Sequence, residues 1–144
     1  MRQYQTLIDT YVRHAILRQP EDFWAWQGVY DIVHGPDGGA AFGLVVDLVR
    51  AVPDDRLEYV GAGPVEDLVE KFGPLLIEQI VAAADKDPRF RKALASVWLV
   101  VEDLPAAVLE RLQEATGGQI ATLTQAELEE VDLPLPTDES PPRL

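Results

Sequence analysis

Glu66, Asp67 and Glu70 follow Pro64 within two turns of one expected helix, and Asp54, Asp55 and Glu58 precede it across the turn Gly61-Ala62-Gly63-Pro64. Carboxylates this close in sequence are the oxygen ligands that Mg²⁺ or Mn²⁺ prefers, and they are candidates for general acid–base catalysis. The same residues also have a structural reading. Pro64 suits the first position of a helix, and Glu66 and Asp67 in the first turn would then complement the positive end of the helix dipole. Capping is the preferred reading, so a metal-dependent enzyme using Asp54, Asp55, Glu58, Glu66 and Asp67 stands as the alternative.

Other reactive groups are sparse. The chain has no cysteine, which removes disulfides, thiolate metal sites and cysteine nucleophiles together. His14 and His34 are the only histidines, and neither has a second ligand at i+4 spacing; each is expected near a helix C-terminus, solvated or facing the dipole. No Gly-x-Ser-x-Gly elbow occurs, Gly61-x-Gly63 lacks the rest of a dinucleotide fingerprint, and no phosphate-binding Gly-Lys-Ser/Thr loop occurs. No cofactor is expected. Lys86, Arg89, Arg91 and Lys92 form one basic cluster, expected to be paired internally, with Arg91 the candidate for an inter-helix salt bridge.

Charge narrows the partners. Twelve Lys and Arg stand against 25 Asp and Glu, a net charge of −13, which opposes nucleic acid and anionic membrane surfaces. The N-terminal segment has polar residues on every turn, so neither a signal peptide nor a membrane span is expected, and the protein is read as cytoplasmic. The favoured partner is another protein with a basic surface, met by Asp54, Asp55, Glu58, Glu66, Asp67 and Glu70. Trp24 points roughly 160° away from Trp26 by the helical step. It is either buried against a neighbouring helix or an exposed aromatic anchor for that partner.

The elements that would position these groups are helical. Tyr4, Leu7, Ile8, Tyr11, Val12, Ala15 and Ile16 form one stripe ending at Pro20; Phe23, Trp26, Val29, Tyr30 and Val33 form a second; Phe42, Val45, Val49 and Val52 a third. Gly35 to Gly39 reads as a loop. Gly61–Pro64, Gly73-Pro74 and Asp87-Pro88 read as three successive stops and restarts. Phe90, Ala93, Leu94, Val97, Trp98 and Val101 fit one helical face, which predicts a buried Trp98 and no sheet. Leu104, Val108, Leu112 and Ala115 make the last long stripe, closed by Gly117-Gly118. The expected architecture is all-α: a compact HEAT-like stack of about seven to nine short antiparallel helices over residues 1–118. An irregular acidic Pro-rich tail follows over 119–144, carrying one short helix at the Thr124–Glu127 capping box.

The strings Ala62-Gly63-Pro64, Glu66-Asp67-Leu68, Asp87-Pro88, Phe90-Arg91, Ala93-Leu94, Val97-Trp98 and Pro105, in that order, resemble a family of small bacterial proteins of unknown function, DUF6869. The resemblance covers roughly residues 22–113 and implies an all-helical fold without supplying a reaction. Asp87-Pro88-x-x-Arg91-x-Ala93 also resembles the second helix of a HEAT repeat. The leading functional expectation is therefore a non-enzymatic binding module, such as an immunity or inhibitor protein that covers a basic cleft. A structural module that forms homo-oligomers is a further reading.

Overall fold

The computed structural model describes residues 4–130, so the expected Pro-rich stretch beyond Glu130 lies outside the described residues. Seven helices dominate: α1 (Gln5–Leu17), α2 (Phe23–Val33), α3 (Gly38–Ala51), one continuous helix through α4 (Leu57–Val60), a π turn (Gly61–Val65) and α5 (Glu66–Lys86), then α6 (Pro88–Leu94), α7 (Ala106–Thr116) and α8 (Gln125–Glu130). The fold is thus all-α, as its sequence implies, with one exception described below. No helix among the described residues is long and apolar enough to cross a membrane.

Most of the stripes read from the sequence meet in a single core, but Ile16 and Tyr30 are exposed and Trp26 is half-buried. Ile8, Tyr11 and Ala15 of α1, Ala25, Val29 and Val33 of α2, and Leu44, Val45, Leu48 and Val49 of α3 are all buried. The long helix α5 packs against α3, α6 and α7 and contributes Leu68, Val69, Phe72, Leu76 and Ile80. The Asp37 carboxylate accepts the Ala40 N–H at 3.0 Å and starts α3 at Gly38. Two glycines expected in a loop therefore form the first turn. Gly38 belongs there because a Cβ would stand 3.1 Å from the Phe72 ring.

Two of the three expected restarts are continuations. Pro64 and Pro74 both lie inside helix, the first in the π turn and the second in α5. A proline disfavours helical backbone in the residue before it largely through that residue's Cβ, and each of these prolines follows a glycine. The wider π turn accommodates the lost N–H at Pro64, and the exposed position of Pro74 leaves the carbonyl it would have bonded open to water. The third restart is as expected: Asp87 accepts the Arg89 N–H at 2.9 Å, with Pro88 first in α6.

The last apolar segment departs from the helical reading. Helix α6 ends at Leu94, and Trp98–Val100 form strand β1, paired in parallel with β2 (Ala121–Leu123) through Trp98–Ala121, Leu99–Thr122 and Val100–Leu123. Val97 and Leu99 are buried while Trp98 between them is 58% exposed, a period of two rather than 3.6. The β-branched and aromatic run Val97 to Val101 favours extended backbone. Phe90, Leu94 and Val97 are core as expected; Trp98 is not. Helix α7 is the crossover between the two strands, and Ile120 is buried just before β2. Thr124 and Glu127 then exchange their capping-box hydrogen bonds at 2.7 and 3.0 Å and start α8.

Glycine substitutions test this packing. A Cβ on Gly61 would lie 2.2 Å from the Ala93 carbonyl oxygen, whereas one on Gly43, inside α3, meets nothing within 4 Å. Gly61→Ala is expected to destabilise the protein by at least about 3 kcal/mol. Gly43→Ala should stabilise it by about 0.5–1 kcal/mol through helix propensity. Urea unfolding midpoints of the two variants check both signs.

Candidate functional site

On α2, Phe23, Trp26, Tyr30 and His34 recur on one face and stack in sequence, with ring centroids 5.3, 5.5 and 3.9 Å apart. The ladder ends at His34, whose Nδ1–H donates to the Tyr30 carbonyl at 2.9 Å. That bond leaves Nε2 turned toward Asp67, 3.9 Å from its carboxylate. Asp67 stands on α5 beside Glu66 and one turn from Glu70, so the three carboxylates share one side of the helix. Glu66 faces the other way along the surface and accepts the backbone N–H of Trp98 at 2.9 Å.

These carboxylates are not helix caps. Val65, immediately before them, has φ −66° and ψ −46°, and the helix runs on backwards through the π turn into α4. Glu66 and Asp67 consequently lie inside a continuous helix, away from its positive end. Burial pushes the Asp67 carboxyl above its ordinary range, with His34 pulling the other way. Burial likewise raises Glu66, opposed by the Trp98 N–H. Glu70 is pushed up to about 7, first by desolvation and then by the charges of Glu66, Asp67 and Asp103. No Lys or Arg is among the groups shifting these three. Carboxylates raised by burial, with His34 as the opposing charge, mark a candidate binding surface.

Trp98 borders this cluster. It is exposed over a shallow depression that it shares with Glu58, Ala62, Ser96 and Ala121. On the other flank a cavity of about 30 Å³ lies between Tyr11, Trp26, Tyr30, Pro64 and Asp67, a volume suited to a water molecule rather than a substrate. Tyr11 is fully buried there, and its hydroxyl makes no hydrogen bond of ordinary geometry among the described residues; burial, and then the neighbouring Tyr59, hold its pKa far above the usual phenol value.

The expected ridge of six carboxylates is divided. Asp54 is ion-paired with Arg89 and Asp55 with its neighbour Arg56 at 3.4 Å, both carboxylates remaining largely exposed. Glu58 joins the Trp98 depression, while Glu66, Asp67 and Glu70 stay together. Trp24 is 51% exposed rather than packed against a neighbouring helix. By the helical step it projects away from the ladder. Among the described residues no group of three or more His, Cys, Asp or Glu side chains is placed to hold a metal ion, so Asp54, Asp55, Glu58, Glu66 and Asp67 do not converge on one.

Other side chains also differ from expectation. His14 is near the end of α1, but it is 1% exposed and set edge-on to Phe23 at 5.8 Å, with neither ring nitrogen bonded among the described residues. Burial, then the Arg18 charge, lower its pKa. Arg91 reaches the Ala84 carbonyl at 3.4 Å instead of a carboxylate. Arg89 provides the inter-element ion pair, and its guanidinium also donates to the Val49 carbonyl at 2.8 Å and to that of Val52. The sequence reading missed Asp103, His34, Tyr30 and Trp98. Spacing at 23, 26, 30 and 34 was a visible signal for the ladder, and the Val97-Trp98-Leu99 alternation for the exposed tryptophan.

Residues 13–120 match the family described as one of unknown function, DUF6869. No curated protein and no solved structure matches the chain.

Glu70 makes the site visible in pH dependence. Its folded pKa of about 7 exceeds the ordinary 4.5, so between those values the unfolded chain has released a proton that the folded one retains. Its contribution to stability is present below about 4.5 and is lost as pH rises toward 7. Glu70→Gln should therefore raise the melting temperature at pH 7.5 relative to wild type, and leave it unchanged at pH 4. Paired thermal melts at the two pH values check the sign.

Proposed function

On the premise that the chain belongs to the DUF6869 family, whose function is unknown, we propose from its own surface that it is a non-enzymatic protein-binding module whose acidic, aromatic face receives a basic partner. The observation that carries this reading is the acidic cluster Glu66, Asp67, Glu70 and Asp103, paired with no Lys or Arg among the described residues and flanked by exposed Trp98 and the Tyr30–His34 stack. An arriving guanidinium or ammonium would offset the burial and like-charge repulsion that raise the Glu70 pKa, so the partner's charge would stabilise this face more than an already paired one. Trp98 offers the large aromatic contact that tends to dominate interfaces, next to the charges that steer encounter. The adjoining cavity is water-sized, which favours recognition of a surface over turnover of a small substrate.

The concrete form of the proposal is an immunity or inhibitor protein that covers the basic cleft of a toxin-like partner. A cysteine-free chain suits the reducing cytoplasm. Relative to the six-carboxylate ridge, the contact surface contracts to Glu58, Glu66, Asp67, Glu70 and Asp103, with Trp98 replacing Trp24 as the anchor.

Co-expression with the products of adjacent reading frames tests the proposal. A basic neighbour should co-purify, and its association rate should fall steeply with salt while dissociation changes little, because steering is screened over about 8–10 Å. Asp67→Asn, Glu70→Gln and Asp103→Asn together should weaken the complex by roughly ten-fold or more. Trp98→Ala should weaken it with little loss of stability, the residue being exposed. Calorimetry near pH 7 in buffers of different ionisation enthalpy should register proton release on binding. A neighbour bound equally well by the triple variant, or no bound neighbour, would sink the reading.

A further inference from the structure

We infer that the groove between α3, α5 and α6 is a binding site for a small amphipathic carboxylate, a medium-chain acyl group with an anionic head. Its floor is formed by Phe42, Val46, Ala83 and Phe90, the two rings lying 6.4 Å apart, and Arg50 and Lys86 stand at its rim. The volume is about 290 Å³. That is at the small end of the roughly 300–1,000 Å³ range for ligand pockets, and the apolar floor with a few polar groups at the edge is their usual composition.

The two cations give the groove its chemistry. Arg13, Arg56, Arg89 and Arg111 all pair with carboxylates, as an excess of acid predicts. Arg50 and Lys86 form no ion pair or hydrogen bond among the described residues. They occupy the last turns of α3 and α5, where a cation ordinarily serves the helix end. Here that role is filled from α6: Arg89 donates to the Val49 and Val52 carbonyls at the end of α3, and Arg91 to Ala84 near the end of α5. Asp87, also at the groove, holds its carboxylate on the Arg89 N–H. The rim cations are left facing an apolar floor, which complements an apolar body bearing one negative charge. A helical wall has its backbone groups bonded internally, so an extended peptide would find few main-chain partners; an acyl chain needs none.

Octanoate is the probe, with octanol and octylammonium as controls of the same chain length, followed by calorimetry and by methyl resonances of the full chain. Octanoate should bind one to one at millimolar concentration and shift the Ala82 and Ala83 methyl signals. Octanol should bind roughly ten-fold more weakly and octylammonium not at all, and lengthening the acid should raise affinity by up to about four-fold per methylene. Arg50→Gln with Lys86→Gln, both exposed positions, should reduce octanoate affinity roughly ten-fold with an unchanged thermal melt. Ala82→Phe, on the exposed edge of the groove, should block it. Equal binding of acid and alcohol, affinity retained in the double variant, or no saturable binding of octanoate would overturn the proposal. An acidic leucine-containing peptide that bound the groove where octanoate did not would also overturn it, in favour of a protein ligand.

Discussion

The tightest constraint in the fold is the approach of α6 to the π turn, where the Ala93 carbonyl comes so near Gly61 that no side chain fits between them. Everything around the acidic face follows from that contact. Gly61 lets α6 lie directly on the helix, and the π geometry lets the helix pass Pro64 without a break. Because the helix does not break, Glu66, Asp67 and Glu70 are carried into its interior instead of capping its start. There Asp67 faces His34, and Glu66 accepts the Trp98 N–H. A conventional helix start at Pro64 would have placed Glu66 and Asp67 where the dipole stabilises them.

Much of the architecture was legible in the sequence because helical burial leaves a simple periodic trace. The stripes of α1, α2 and α3, the Asp87-Pro88 start and the Thr124–Glu127 box were each visible from spacing alone. What escaped has a common physical origin. Gly63-Pro64 and Gly73-Pro74 contain the two residues most associated with helix ends, but glycine before proline removes the Cβ that enforces the break. The run Val97 to Val101 is apolar at every position, so it satisfies a period of two as readily as one of 3.6, and only the parallel partner at Ala121–Leu123 decides between them.

The site was half legible for a different reason. Carboxylates can be counted in a sequence, but their counter-ions come from elsewhere in the chain. Asp54 and Glu66 look equivalent until Arg89, 35 residues after Asp54, is found beside the first and no cation beside the second. His14 and His34 are similarly alike as letters. One is sealed against Phe23 with both nitrogens unbonded, and the other ends an aromatic ladder within reach of Asp67.

Charge in this protein is therefore organised by what the fold uses up. Arginines take carboxylates and helix-end carbonyls wherever elements meet, and each such pairing removes a charge from the surface available to partners. On α5, Glu66, Asp67 and Glu70 stand near the start and Lys86 stands in the last turn at the apolar groove, roughly 30 Å away at 1.5 Å per residue. At that spacing, about three Debye lengths in ordinary buffer, the two surfaces are electrostatically independent. If both proposals hold, occupation of the groove by an anion would leave the acidic face unchanged, because the two lie at opposite ends of one helix.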